Sequence, residues 1–302
     1  MSARVALGID VGGTKVAGGL VEIDTGTIRH MVVRPTPLAQ GGAAVLDCVA
    51  AVAGDLAREA AATGLNSVGL GVGVPELVDL AGRVTTAWNF DWLTLDPATA
   101  LAGFGPLRIE SDVRAGAYAE MRFGRGRAFS SFAYVTIGSG MSYTLCEDGR
   151  VRRGARGYAI HFASNELVVA PAGAPGTGRF LLEGFASGFG MADTLRRRTG
   201  QALDARAIVE GRAGPAGESL LEDATLATAS YLGQIVNMLD PQAIVLAGGL
   251  GTAPAYADRV RARVAEFVFA PDARDLPVVP SALGTHAGVI GAAAILDEDT
   301  CP

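Results

Sequence analysis

Residues 4–22 read RVALGIDVGGTKVAGGLVE, two apolar runs separated by a turn at Gly12-Gly13-Thr14-Lys15. The first run, residues 4–10, predicts a short buried strand. Gly18 and Gly19 disfavour a helix in the second run, which therefore predicts another strand. Strand, glycine turn and strand together indicate a β-hairpin.

Strands and helices alternate along the rest of the chain, which indicates the α/β fold class. Further strands are predicted at residues 67–75, 106–112, 132–138, 142–147, 243–249 and 277–283, and helices at 43–62, 113–122, 183–197, 221–239, 255–268 and 286–297. A second glycine-rich hairpin within residues 132–147 suggests two related α/β lobes with a cleft between them. We expect an N-terminal lobe, 1–113, completed by the C-terminal segment 286–302, and a second lobe, 114–285.

The composition argues against several classes of protein. Hydrophobic residues make up 49% of the 302 residues and charged residues 19%, so a large core is expected. The net charge of −6 lacks the basic surface of a nucleic-acid binder. No apolar run has membrane-spanning length, and the three cysteines are too scattered for a disulfide framework or a cysteine zinc site. We expect a cytoplasmic protein that binds neither nucleic acid nor membrane.

The first glycine turn has the residue types of a phosphate site. Gly12 and Gly13 leave backbone N–H groups open to an anion, Thr14 adds a hydroxyl donor and Lys15 a positive charge. Asp10 ends the strand, where its carboxylate can hold Mg²⁺, often through water. The spacing matches neither a P-loop nor the dinucleotide fingerprint. An ordinary tight hairpin is the alternative, which this combination of residues disfavours.

Two later glycine segments follow strands in the same way. Gly138-Ser139-Gly140 separates two strands and is placed to clamp the far side of the phosphates, although a plain hairpin fits as well. Gly248 and Gly249 lie at the glycine-rich end of the strand predicted at 243–249, a usual place for a nucleotide in α/β folds. A structural turn is the equal alternative for that segment.

Asp112 ends a predicted strand, where ligand crevices form in α/β sheets. A carboxylate there can orient a sugar hydroxyl and accept its proton during phosphoryl transfer. Because a helix follows, Asp112 is also a candidate N-cap, and the two roles are compatible.

Together and in this order, these segments resemble the ROK family of bacterial sugar kinases and related repressors. The similar segments are LGIDVGGTK, GVGVPELVD with Trp88–Trp92, Ile109–Asp112, YVTIGSGMSYTL, Arg153–Ala159, LLEGFASG and NMLDPQAIVLAGGL. The resemblance implies the two-lobed actin/hexokinase-like (ribonuclease H-like) fold, ATP and Mg²⁺ as cofactors, a homodimer, and Asp112 as the catalytic base.

The resemblance also implies which residues bind the acceptor: Asn89, Glu110, Ser111, His161 and Glu183. The chain departs from the family pattern near the sugar. His161 stands where the family has a sugar-binding Glu, and Ser164 stands where it has a sugar- and zinc-binding His. The family's cysteine-rich zinc loop falls on residues 174–181, which contain no cysteine, so we expect no zinc site.

These residues predict an ATP-dependent kinase that phosphorylates the primary 6-hydroxyl, or its equivalent, of a hexose, an aminohexose such as kanosamine, or a sugar-like cyclitol. Replacing Glu by His161 exchanges an acceptor-only group for one that can donate. We therefore hypothesise that the substrate is not plain glucose, or that it is bound differently on its C1–C2 side. A catalytically silent sugar-binding homologue is the alternative. A repressor of the same family is disfavoured, because the first strand is expected at about residue 4 and the charge is acidic.

Overall fold

The computed structural model describes residues 4–169 and 178–300. These residues form two compact units. The first contains residues 4–130, 146–159 and 285–300, and the second contains 131–145 and 160–284. Each unit has its own sheet and helices, which confirms the predicted α/β class. No helix within the described ranges is long and apolar enough to cross a membrane.

The elements follow the predicted alternation closely. The strands are β1 (Val5–Val11), β2 (Lys15–Glu22), β3 (Ile28–Pro35), β4 (Ser67–Val74), β5 (Leu107–Ser111), β6 (Ser131–Ile137), β7 (Met141–Glu147), β8 (Arg150–Val151), β9 (Leu167–Val169), β10 (Gly178–Phe180), β11 (Ile244–Ala247) and β12 (Val278–Pro280). The helices are α1 (Gly42–Ala62), α2 (Pro97–Ala100), α3 (Asp112–Phe123), α4 (Glu183–Ala186), α5 (Gly188–Thr199), α6 (Ala205–Val209), α7 (Gly214–Leu239), α8 (Gly248–Gly251), α9 (Pro254–Arg263) and α10 (Ala287–Ala294).

The sheet of the first unit has the order β3-β2-β1-β4-β5. β1 and β2 are antiparallel with Val11 opposite Val16, which confirms the predicted hairpin. β4 lies parallel to β1, and β5 parallel to β4. The carboxyl ends of β1, β4 and β5 therefore meet at one edge of the sheet, where ligands bind in open α/β folds.

Helices α1 and α10 cover opposite faces of this sheet. Neighbouring residues of a strand point to opposite faces. A Cβ added at Gly18 would lie 3.0 Å from Leu56 of α1, whereas one added at Gly19 would lie 2.6 Å from Val289 of α10. Because Gly18 and Gly19 have no side chains, one helix can pack closely against each face of β2.

Helix α3 belongs to the first unit because it packs directly against α10. A Cβ at Gly291 of α10 would overlap the backbone carbonyl of Ala115 in α3. The first compact unit consequently continues to residue 130, whereas the sequence placed the boundary near residue 113. The segment from residue 285 packs in the same unit.

The second unit is built on strands in the order β12-β11-β6-β7. β11 lies parallel to both β6 and β12. Helices α5, α7 and α9 contribute buried residues to its core, among them Met191, Leu232 and Val260. The helix predicted at residues 183–197 is interrupted at Ser187, whose hydroxyl caps α5 by accepting the N–H of Gly190 at 3.1 Å. Residues 174–177 of the expected zinc-loop position lie outside the described residues.

Candidate active site

Asp10 and Asp112 lie close together in the first unit. Asp10 is near the end of β1, and Asp112 directly follows β5. Gly73 of β4 lies between them, since a Cβ built there would be 3.8 Å from Asp10 Oδ1 and 3.5 Å from Asp112 Cα. The parallel strands thus bring to one edge two carboxylates that are about a hundred residues apart in the chain.

Both carboxyl groups have raised pKa values because protein surrounds most of their surface, although each remains partly exposed. Burial raises the pKa of Asp10 to about 6, against the opposing effect of the Lys15 charge. Burial also raises the pKa of Asp112 to about 7, and the negative charge of Asp10 raises it further. The Val113 N–H, at 2.6 Å from Asp112 Oδ1, opposes this rise. The two groups therefore titrate near neutral pH as an interacting pair.

The glycine turn between β1 and β2 is fixed through its carbonyl oxygens. Gly12 N–H donates to the Lys15 carbonyl at 2.9 Å, and the Thr36 hydroxyl donates to the Gly12 carbonyl at 2.6 Å. Thr36 N–H donates to the Thr14 carbonyl at 3.1 Å. Gly13 is exposed, and a Cβ built there would meet nothing within 4 Å. The fold itself does not require glycine at position 13, so its lack of a side chain leaves open space beside the turn.

The carboxylates of this edge have the chemistry that magnesium prefers. Mg²⁺ takes oxygen ligands and is commonly bound by one or two carboxylates together with substrate phosphates. Asp10 and Asp112 supply such oxygens next to a turn suited to phosphates. In the described parts of the chain, no group of three or more His, Cys, Asp or Glu residues could hold a metal by itself. The residues present therefore fit a magnesium ion that arrives with a nucleotide.

In the second unit, the glycines of the predicted nucleotide segments fall into two kinds. Gly138 and Gly249 would meet nothing within 4 Å if they carried a Cβ, and neither has a positive φ. Gly140 and Gly248 are required by packing: a Cβ at Gly140 would lie 2.9 Å from Glu183 Oε2, and Gly248 has φ +80° against the backbone of Ile137. Open space is thus found at one glycine of each segment.

The turn from Gly138 to Gly140 also receives donors from the start of α5. Gly188 N–H donates to the Gly138 carbonyl at 2.7 Å, and Phe189 N–H donates to the Ser139 carbonyl at 3.1 Å. The turn is therefore held by main-chain bonds that leave the Ser139 side chain uninvolved.

His161, Ser164 and Glu183 lie together in the second unit. His161 Nδ1 is 3.2 Å from Ser164 Oγ, which donates to Glu183 Oε1 at 3.4 Å. Met141 N–H donates to Glu183 Oε2 at 2.7 Å. Burial lowers the pKa of His161, while the Glu183 charge raises it. The structure thus brings two predicted acceptor residues, His161 and Glu183, into one polar group, with Glu183 anchored to the start of β7.

Glu110 differs from its predicted role. Its carboxylate is buried and accepts hydrogen bonds from Ser111 N–H at 2.7 Å and Arg114 Nε at 2.8 Å. Arg153 pairs with the second oxygen at 3.0 Å. Because both oxygens already bind protein groups, the structure gives Glu110 a structural role in place of the predicted acceptor contact.

Ser111 is also less accessible than expected for a residue that binds the sugar-like substrate, because only 1% of its surface is exposed. Its Oγ is buried without a hydrogen bond of good geometry, although it lies close enough to Asp112 to lower the pKa of that carboxyl slightly. Asn89 is exposed, and its Nδ2 donates to the Pro75 carbonyl at 2.8 Å. Of the predicted acceptor residues in the first unit, Asn89 alone presents its side chain to the outside.

Arg114 and Glu76 are two residues of this unit that sequence reasoning missed. The buried Arg114 guanidinium donates to the carbonyls of Val78, at 2.9 Å, and Gly157. It therefore joins the helix that begins with Asp112 to two loops. The Glu76 carboxylate is buried beside Asn89. Glu76 comes two residues after the end of β4, so the strand-end rule that identified Asp10 and Asp112 would also have identified it.

Comparisons with known proteins give consistent results. The model of the ROK family matches residues 6–299. The chain is 31% identical over 95% of its length to the "Bifunctional enzyme NanE/NanK" of Brucella melitensis, and it spans 53% of that relative, about half. It is 26% identical to a glucokinase of Streptomyces coelicolor, over 97% of this chain and 98% of the relative.

A solved structure agrees with the fold. The crystal structure of a ROK family glucokinase from Streptomyces griseus, in complex with glucose and AMPPNP, matches with a TM-score of 0.80 and 24% identity. The match covers 96% of this chain and 98% of that one. This likeness confirms the predicted actin/hexokinase-like α/β fold. Since the family model covers nearly the whole sequence, the chain is a member of the ROK family.

Proposed function

We propose that this chain is an ATP-dependent carbohydrate kinase, which transfers the γ-phosphoryl group of ATP to a hydroxyl of a sugar or sugar-like acceptor. The observation that supports this most directly is the pair Asp10 and Asp112 at one sheet edge, beside a turn with open space at Gly13. The glucokinase from Streptomyces coelicolor, similar over nearly its full length, supports the same reaction class.

The residues of the first unit hold the phosphates and the metal in this proposal. The Gly13 N–H, the Thr14 hydroxyl and the Lys15 ammonium bind phosphate oxygens. The Gly12 N–H was predicted for the same role, but it already donates to the Lys15 carbonyl within the turn. Asp10 would hold Mg²⁺, through water, and the ion would supply positive charge beside the phosphates.

The second unit contributes two segments to nucleotide binding. The turn Gly138-Ser139-Gly140 binds phosphate, and the segment at Gly248 and Gly249 binds the adenosine. The open space at Gly138 and Gly249 supports this assignment, because neither glycine is required by its own backbone angle or by its neighbours.

Asp112 acts as the general base. Its carboxylate accepts the proton of the acceptor hydroxyl while the oxygen attacks the γ-phosphorus in line and ADP leaves. A pKa raised to about 7 suits this task, since the group is still substantially ionised at neutral pH and is more basic than an ordinary aspartate. The neighbouring charge of Asp10 contributes to that basicity.

The acceptor is bound by Asn89, His161 and Glu183. Because a histidine replaces an acceptor-only glutamate, an aminohexose such as kanosamine or a cyclitol is favoured over glucose, with phosphorylation at the primary 6-hydroxyl or its equivalent. The cytoplasmic location and the homodimer stay predictions.

An acceptor panel tests the proposal. Glucose, N-acetylhexosamines, kanosamine and a C7-cyclitol are incubated with ATP and magnesium, and ADP and phosphorylated products are measured, the latter by mass spectrometry. We expect ATP-dependent phosphorylation, with an aminohexose or cyclitol turned over most efficiently. A clear preference for glucose would contradict the acceptor assignment alone. Binding of sugars without any ADP formation would support the catalytically silent alternative.

A further inference from the structure

The side chain of Glu76, two residues after the end of β4, is only 1% exposed. Its two oxygens accept four hydrogen bonds from one short segment. Oε2 binds the Thr86 hydroxyl at 2.5 Å and Trp88 N–H at 3.0 Å. Oε1 binds Asn89 N–H at 2.5 Å and Phe90 N–H at 3.3 Å. A single carboxylate therefore binds the Thr86 hydroxyl and fixes the main chain from residue 88 to residue 90.

The same short stretch fixes the side chain of Asn89. Its Nδ2 donates to the Pro75 carbonyl at 2.8 Å, one residue before Glu76. Since one hydrogen of the amide nitrogen is used in this way, the exposed side chain presents Oδ1 together with the second N–H. Asn89 thus offers a hydrogen-bond acceptor, which suits a hydroxyl or amine donor of a ligand.

The loop between β4 and residue 90, which carries Asn89, is also held in place at its beginning. Leu77 N–H donates to Thr86 Oγ1 at 2.9 Å, and Thr85 N–H donates to the Leu77 carbonyl at 2.8 Å. Arg114 lies in α3, two residues after the candidate base Asp112. Its guanidinium donates to the Val78 carbonyl at 2.9 Å. The loop that carries Asn89 is therefore connected to the helix that begins at Asp112.

We infer that Glu76 is a positioning residue for acceptor binding, which holds Asn89 so that Oδ1 meets a donor group of the sugar-like substrate. This inference rests on the proposed kinase function. Glu76 acts through Asn89 and does not touch the substrate itself. Its carboxylate is suited to the task because all four lone-pair positions are filled by donors of the one segment.

The variant Glu76→Gln tests the inference with little change in volume. One oxygen becomes an NH₂ group that faces two donors and cannot accept from them. We expect KM for the best acceptor of the panel to rise about tenfold, the size of effect that one lost substrate hydrogen bond produces, while KM for ATP stays within about twofold. In the Asn89→Ala background, the same Glu76→Gln change should raise acceptor KM far less, because the two residues act in series.

Hydrogen exchange gives a readout that does not depend on turnover. In Glu76→Gln, the amides of Trp88, Asn89 and Phe90 should exchange faster than in the wild type. The control is Glu120→Gln, a second buried carboxylate of the first unit, which accepts Arg125 N–H at 2.7 Å at the far end of α3. It should leave acceptor KM and these three amides unchanged.

The outcomes separate the inference from the proposed function. Unchanged acceptor KM in a folded Glu76→Gln protein, or additive effects with Asn89→Ala, would overturn the inference while the kinase assignment stands. If Glu76→Gln does not fold, Thr86→Val removes one of the four donors and should give a smaller rise in acceptor KM, whose absence would count equally against the inference. A wild-type protein that phosphorylates no acceptor would overturn the function and the inference together.

Discussion

The carboxylate of Asp112 is the residue on which the proposed phosphoryl transfer depends most directly. Asp112→Asn keeps the size of the side chain and removes the base. We expect kcat to fall by about 10²–10⁴-fold, the usual contribution of general base catalysis. Nucleotide affinity, measured by calorimetry, should stay within about twofold. The control is Asp47→Asn on the exposed face of α1, which should leave both quantities unchanged. A loss of kcat below tenfold would exclude Asp112 as the base.

The interaction between Asp10 and Asp112 makes a prediction about pH. Because only the ionised carboxylate accepts a proton, kcat/KM for the acceptor should rise with pH and level off above about 7. Asp10→Asn removes a negative charge that raises the pKa of Asp112, so the remaining activity should reach its plateau at lower pH. Complete pH–rate profiles of both proteins measure this shift, and coinciding midpoints would show that the two carboxyls do not interact.

At the scale of single residues, sequence reasoning predicted the groups that end strands and missed the contacts that depend on tertiary packing. Asp10 and Asp112 follow from a simple rule about strand ends. Glu110 was assigned to the acceptor from the family resemblance, and nothing in the sequence shows that Arg114 and Arg153 bind its two oxygens. Such pairing is decided by how the loop at residues 153–159 folds back onto α3, which local patterns do not contain.

At the scale of the element, the turn between β1 and β2 allows phosphate binding to be tested separately from stability. Gly13 and Gly103 are both glycines without positive φ whose added Cβ would meet nothing within 4 Å. Replacing either by alanine should therefore change the free energy of unfolding by less than about 1 kcal/mol. Only Gly13→Ala should raise KM for ATP, by about tenfold or more, because its methyl group occupies space proposed for phosphate. Equal ATP kinetics in the two variants would argue against a phosphate site at this turn.

Most elements were predictable, because apolar runs and glycine turns mark them locally. β3 was missed, since its sequence IRHMVVRP mixes charged and apolar residues and, at the edge of the sheet, none of its side chains is fully buried. The prediction of one continuous helix at residues 183–197 overlooked Ser187, which follows the end of one helix and caps the start of the next. In both cases the signal was present but weaker than the hydrophobic pattern around it.

At the scale of the whole molecule, the raised pKa values of Asp10 and Asp112 predict how stability depends on pH. The folded protein holds protons on these groups up to about pH 6–7, whereas unfolded aspartates lose them near pH 4. Their contribution to stability is therefore complete below pH 4 and is lost as the pH rises through 7. Relative to the wild type, the double variant Asp10→Asn/Asp112→Asn should gain several kcal/mol of unfolding free energy between pH 4 and pH 8, because each unit of raised pKa corresponds to about 1.4 kcal/mol.

Urea denaturation of the two proteins at pH 4, 6 and 8 measures this difference. The control is Asp47→Asn, whose carboxyl is exposed, and its difference from the wild type should not change with pH in this way. A constant difference between the double variant and the wild type would mean that the two carboxyls are not desolvated in the folded state.

The boundary between the two units is the feature of the whole molecule that local sequence patterns did not predict. Helix α3 follows a strand end and begins at the candidate base, which made residue 113 a natural place to divide the chain. Its packing against α10, formed by residues far along the sequence, places it in the first unit instead. A contact between segments so distant in sequence leaves no local trace.

The place of α10 has a consequence for biosynthesis. Ribosomes deliver residues 287–294 after every residue of the second unit, yet this helix covers one face of the first sheet, and its Gly288 passes so close to Asp10 that an added Cβ would lie 2.6 Å from the carboxylate. A nascent chain arrested before residue 287 already contains the glycine turn and both aspartates but lacks the backbone that packs against the first of them. The surroundings of Asp10 are therefore completed only after every residue of the second unit has been translated.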